Sequence, residues 1–128
     1  MNYLLDTHTF LWILNTPEML PERAQGVVQD RSAILLISIA TPWEMAIKVA
    51  SGKLDAADIL DNFEAAVTRG RFTILETTVR QAISSGSLPF YHRDPFDRLL
   101  AAQALNLGIP IVSRDRVFDL YGVRRIWE

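Results

Sequence analysis

The sequence predicts an α/β fold, a mostly parallel sheet with helices on both faces, in one domain spanning residues 1–128. Three observations predict it. Short apolar runs of strand length alternate along the chain with stretches of helical spacing, and each parallel return to a sheet requires such a crossover. One run, Ala33-Ile34-Leu35-Leu36-Ile37, has no polar alternation, which is the pattern of a strand covered on both faces. The third is size: 128 residues, 49% of them hydrophobic and 22% charged, suffice for one buried core and fall short of two ordinary domains.

Tyr3-Leu4-Leu5 reads as the first strand, ended by the acidic turn Asp6-Thr7-His8, and Phe10, Leu11, Ile13 and Leu14 then show helical spacing. Thr16-Pro17 and Leu20-Pro21 punctuate the chain, each proline suiting a helix start. Glu22 to Gln29 supplies a short helix with Ala24, Val27 and Val28 inward. After the second strand, Thr41-Pro42-Trp43-Glu44 matches the capping-box pattern, with Thr41 as N-cap, Pro42 first and Glu44 third, and predicts a helix to about Ala50. Another helix is predicted over about Ala57 to Thr68, with Ile59, Leu60, Phe63, Ala66 and Val67 as its apolar stripe and Gly70 as its stop. Phe72 to Leu75 is the third strand, Thr77 to Ser85 a short helix, and Gly86 to Pro89 a loop. Asp94-Pro95-Phe96-Asp97 opens the next helix, with Asp94 as N-cap, Pro95 at the first helical position and Asp97 at the third. A fourth strand at Ile111-Val112, the polar turn Ser113-Arg114-Asp115, a short helix over Val117 to Leu120 and a last strand at Arg125-Ile126-Trp127 complete the chain.

Composition narrows the function classes. The apolar runs are too short for a membrane span, and the first residues lack the basic and apolar regions of a signal peptide. There is no cysteine, so disulfide and thiolate chemistry are excluded and a cytoplasmic location is expected. The net charge of −2 means that whole-molecule electrostatics do not draw in nucleic acid, and any such binding must come from local patches.

Ligands of parallel sheets bind beyond the carboxyl ends of the strands, where the strand order reverses. Asp6 follows the first strand, Glu44 follows the second, Asp97 lies on the helix leading to the fourth, and Asp115 follows the fourth. If the first and fourth strands are neighbours, these carboxylates converge. Each acid alone has a structural explanation: Asp6, Asp94 and Asp115 as helix caps, and Glu44 as the closing residue of a capping box. Together they repel, and a fold keeps them ionised side by side only if a cation neutralises them or their pKa values rise. A hard divalent cation with oxygen ligands, Mg²⁺ or Mn²⁺, is the simplest partner, and zinc fits poorly. Lys48, Arg98 and Arg114 stand beside these acids as ion-pair partners or phosphate contacts, and Thr7 and Ser113 lie on the acidic turns as candidate substrate contacts. His92 adjoins Asp94, which leaves a metal or proton-transfer role open to it, but it reads first as a surface or loop histidine; Trp12 and Trp43 read as packing residues rather than stacking platforms for bases, and Trp127 as a packing residue.

The segments Leu4-Leu5-Asp6-Thr7-His8, Ser38 through Trp43-Glu44-Met45-Ala46-Ile47-Lys48 to Gly52-Lys53-Leu54, His92-Arg93-Asp94-Pro95-Phe96-Asp97-Arg98 and Val112-Ser113-Arg114-Asp115 resemble, in order and spacing, the PIN-domain ribonucleases, in particular the VapC-like toxins of type II toxin–antitoxin systems. That resemblance implies an α/β/α sandwich with five parallel strands. It implies Mg²⁺-dependent hydrolysis of RNA, an acidic quartet at Asp6, Glu44, Asp97 and Asp115 as catalytic and metal-ligating residues, a cognate antitoxin protein, and a homodimer. Asp94 is the extra acid, a metal ligand or a cap, and Lys48, Lys53, Arg93, Arg98 and Arg114 are expected along the rim of the cleft. Two rivals are a catalytically silent binding module whose acidic cleft receives a basic side chain, and a phosphoaspartate-type phosphatase or receiver domain with Asp6 as acceptor. Against the latter, Asp6-Thr7-His8 lacks a second aspartate two residues on.

Overall fold

The computed structural model describes residues 1–128. Five strands, β1 (Asn2–Leu5), β2 (Ile34–Ser38), β3 (Phe72–Leu75), β4 (Ile111–Val112) and β5 (Arg125–Ile126), form one sheet in the order β3-β2-β1-β4-β5. Every pairing is parallel. The order reverses at β1, which pairs β2 on one side and β4 on the other, with Leu5 beside Val112. The crevice between β1 and β4 is thus the switch point, and both strands end there in acidic turns.

Alternate strand residues feed opposite faces, as the pleat requires. Leu5, Leu35, Ile37, Val112 and Ile126 join Phe10, Met45, Phe63 and Phe72 in one core cluster, while Leu4, Leu36 and Ile111 join Leu99, Leu100, Ala104 and Phe118 in the other. The first cluster is covered by α1 (Thr7–Asn15), α2 (Glu22–Gln29), α4 (Ala57–Asp61) and α5 (Phe63–Arg69), and the second by α7 (Pro95–Leu107) and α8 (Val117–Leu120). Phe10 locks the first cluster by edge-on contacts with Phe63 and Phe72, at centroid distances of 5.5 and 5.3 Å. α3 (Ala40–Ala50) contributes to both clusters through Met45 and Ala40, and α6 (Val79–Ser87) packs along α7. No helix is long and apolar enough to cross a membrane.

Three local expectations are corrected. The capping box expected at Thr41 and Glu44 is absent, because the Ser38 hydroxyl accepts the Ala40 N–H at 3.0 Å and the helix starts at Ala40. Thr41 therefore lies inside α3, and Glu44 is released to another partner. The box forms instead at Thr78 and Gln81, where side chain and backbone satisfy one another reciprocally, so α6 runs from Val79 through Gly86 to Ser87 rather than ending at Ser85. The single helix expected over residues 57–68 is two, α4 and α5, broken at Asn62. Asp94 does cap α7, accepting from Phe96 N at 2.8 Å, and Gly108 ends it with φ of 65°, a left-handed conformation that favours glycine.

Candidate active site

The end of β1 delivers Asp6 into the crevice. It caps α1 by accepting the Thr9 N–H on Oδ1 at 2.8 Å, while Oδ2 accepts the Ser113 hydroxyl from the turn after β4. Ser113 in turn accepts the Asp115 N–H at 2.9 Å, so one hydroxyl couples the two acidic turns. Asp6 is buried, and that burial raises its pKa above the usual carboxylate range against the pull of these hydrogen bonds. Glu44, buried on α3, accepts Thr7 Oγ1 at 2.7 Å and Lys48 Nζ at 2.5 Å. The hydrogen bond to Glu44 pushes the Lys48 pKa up despite partial burial, which keeps the ammonium charged.

Asp97 projects from the first turn of α7. Burial first, then the charges of Asp94 and Glu44, lift its carboxyl to about 7, with His92 acting in the opposite direction. His92 Nε2 stands 2.8 Å from Asp97 Oδ2 and 3.9 Å from Asp115 Oδ2. Ligand atoms of His92, Asp97 and Asp115 all lie within 4.8 Å of one another. The Asp94 N–H reaches His92 Nδ1 at 3.2 Å, so Nδ1 accepts. The neutral imidazole then carries its proton on Nε2 and donates it to Asp97, which makes His92 an orienting partner of that carboxylate.

Asp6, Thr7, Glu44, Lys48, Asp94, Asp97, Arg114 and Asp115 line one cleft of about 410 Å³. Asp97 and Asp115 form a compact group with His92, and the charges of Glu44 and Asp6 also reach Asp97. Asp115, on the exposed turn after β4, also accepts the Val117 N–H at 2.9 Å. Thr7 and Ser113 commit their hydroxyls to Glu44 and Asp6 and so orient carboxylates.

Arg98 is a correction. Its buried guanidinium points away from the cleft and donates to the carbonyl oxygens of Gly86, Leu88, Pro89 and His92, with Phe90 over its plane at 4.5 Å. Lys53 and Arg93 are exposed and do not line the cleft, whereas His8, Trp12, Arg116 and Trp127 do. Trp43, expected to pack, is 56% exposed and meets only the edge of Phe96 among the aromatic rings. The sequence ranks His92 below the acids because its partners lie on α7 and beyond β4; the local signal that leaves a metal or proton-transfer role open is its place two residues before a helix cap.

Solved structures share this fold over nearly the full length of both chains. The VapBC2 complex of Rickettsia felis bound to a DNA fragment from their promoter matches with a TM-score of 0.71 at 16% identity, covering 100% of each chain. VapBC-1 from nontypeable Haemophilus influenzae matches at 0.70 and 18% identity, covering 98% of this chain and 96% of that one. DNA-bound VapBC from Salmonella typhimurium matches at 0.66 and 23% identity, with 98% and 96% covered. No curated protein sequence matches the chain significantly. Residues 3–123 match the family model of the PIN domain, and the chain belongs to the PIN domain family.

Proposed function

We propose that this chain is a Mg²⁺-dependent ribonuclease, with Mn²⁺ as the alternative ion, that hydrolyses RNA phosphodiester bonds as the toxin of a toxin–antitoxin pair. The observation that carries this reading is the convergence of Asp6, Glu44, Asp94, Asp97 and Asp115 on one cleft at the β1–β4 switch point. Crowding and burial there are strong enough to hold Asp97 near 7. Such a donor set, rich in carboxylate oxygen, fits a hard divalent cation. Asp6, Asp97 and Asp115 would hold the ion, with Glu44 completing the set. The bound ion supplies charge neutralisation, polarisation of the phosphoryl oxygens and activation of water.

The protein's own groups do the rest. Thr9 and Ser113 fix both oxygens of Asp6, His92 orients Asp97, and Thr7 fixes Glu44. Lys48 keeps its proton beside Glu44 and places a positive charge at the cleft wall, where charge on the phosphate grows in the transition state. Arg114 lines the same cleft from the turn after β4.

The VapBC complexes that share its fold support an antitoxin as its partner. Exposed Ile39, Trp43 and Ile47 at the start of and along α3 offer an apolar face for a second copy. The test is cleavage of a panel of structured RNAs with and without Mg²⁺. Asp6→Asn and Asp97→Asn each lower the rate by about a hundredfold or more. Unchanged cleavage in both variants overturns the assignment. Growth arrest on expression of the chain alone, relieved by Asp6→Asn, separates hydrolysis from mere binding.

A further inference from the structure

Four residues lining the cleft, Trp12, Arg114, Arg116 and Trp127, hold no carboxylate of the acidic centre in place. Three of them, Arg114, Arg116 and Trp127, also line a second hollow that Arg23, Arg125 and Glu128 complete. The two depressions therefore adjoin, sharing a wall at the turn after β4 and the end of β5. Arg125 is part of the wall: it donates to both oxygens of Asp119, at 3.0 and 3.1 Å, and to the Ser113 carbonyl at 3.2 Å. Arg114 and Arg116 take part in none of the molecule's ion pairs. Arg23 meets only the backbone carbonyl of Glu128, at 3.2 Å. In a chain of net charge −2 this is a local excess of exposed guanidinium groups. Beside it stands half-buried Trp12, its ring 5.7 Å from that of buried Trp127.

We infer that this wall is a subsite for a flanking nucleotide of single-stranded RNA, with the phosphate on Arg23, Arg114 and Arg116 and the base against Trp12. The inference rests on the ribonuclease reading and names the strand that reading leaves unspecified. A strand whose scissile phosphate lies among the acids must carry its next phosphates away from them, and these arginines form the adjoining positive surface. Guanidinium groups next to an aromatic face are the combination that grips single strands, because every base has a face to stack. A duplex cannot bring a base onto Trp12 without opening. An acidic peptide would satisfy the arginines but would be repelled by the carboxylates next to them and would leave Trp12 without a partner.

The probe is a fluorescein-labelled decaribonucleotide of mixed sequence, bound in Ca²⁺ in place of Mg²⁺ and followed by anisotropy across a salt series. Arg23→Gln and Arg116→Gln alter exposed side chains, and each lowers the slope of log affinity against log salt by about 0.7. Trp12→Leu weakens binding about tenfold, and the two arginine variants stand alone if it does not fold. With Mg²⁺, the loss of kcat/KM on the decamer exceeds the loss on bis(p-nitrophenyl) phosphate by at least about fivefold in each variant. Wild-type affinity and salt slope in both arginine variants, with the wild-type protein cleaving the decamer, overturn the subsite and leave the nuclease standing. A wild-type protein that cleaves neither probe overturns both. Tighter binding of the matching duplex than of the single strand also overturns the subsite.

Discussion

Asp97 carries the clearest pH signature of any residue in the chain. Its carboxyl is raised to about 7 from 3.8 by burial and by the neighbouring acids. Between those values the folded chain holds a proton that the unfolded chain has released, so this group's contribution to stability is full below pH 4 and is lost as pH rises towards 7. In protein stripped of divalent ions, Asp97→Asn therefore melts higher than wild type at pH 8, by about 5 °C, and the gap closes at pH 4. Thermal melts at the two pH values in chelator decide it; a gap independent of pH would mean that Asp97 is not strained by its neighbours. Asp97 was legible as a site residue because the proline and the cap fix where its helix starts. His92 was legible only as a second choice to a loop histidine, because its role depends on the Asp94 N–H accepted by Nδ1 and on Asp115, which lies beyond β4.

At the scale of elements, the link between α6 and α7 is held by the buried side chain of Arg98 together with the Tyr121 hydroxyl, which donates to the Pro89 carbonyl at 2.8 Å and accepts the His92 N–H at 3.0 Å. The Arg98 guanidinium donates to carbonyls of Leu88 at 2.8 Å, Pro89 at 3.0 Å, and Gly86 and His92 at 3.2 Å. It thereby satisfies the end of α6 and sets the height of the loop that presents His92 to Asp97. Arg98→Met takes the guanidinium away from the carbonyls of Gly86, Leu88 and His92, while Pro89 keeps the Tyr121 hydroxyl at 2.8 Å, and costs about 2–4 kcal/mol, read as a lowered urea midpoint at unchanged m. Arg98→Lys recovers only part of it, since a single ammonium cannot span four carbonyls. A midpoint within error of wild type for both variants would place the loop's support elsewhere. Sequence reasoning set Arg98 at the cleft because it adjoins Asp97, yet neighbours on a helix point about 100° apart. The same limit misplaced the capping box. Thr41-Pro42-Trp43-Glu44 and Thr78-Val79-Arg80-Gln81 both fit the pattern, and what separates them is Ser38, whose hydroxyl accepts the Ala40 N–H and lets α3 start two residues earlier than the pattern allows.

For the whole molecule, the parallel sheet was readable because its strands are short, apolar and separated by crossovers, and pairing of β1 with β4 follows once the order reverses. What sequence could not supply is which of the converging acids come closest, since that depends on how α7 seats against the sheet. The cleft draws residues from the end of β1, from α1, from α3, from α7 and from the turn after β4, so it touches nearly every layer of the fold. Repulsion among its acids acts between those layers and loosens them together. A divalent ion that binds only the folded chain reverses this and stabilises the molecule as a unit. At a concentration one hundred times its dissociation constant, Mg²⁺ or Mn²⁺ raises the melting temperature of the wild-type protein by about 10 °C at pH 8. Asp6→Asn and Asp97→Asn each reduce that rise to about a third or less, while Arg98→Met, though melting lower, keeps most of it, because Arg98 faces away from the cleft. Calorimetry of the four proteins with and without the ion measures the rise directly, and a wild-type melt unmoved by either ion at any concentration would remove the metal from the proposed chemistry.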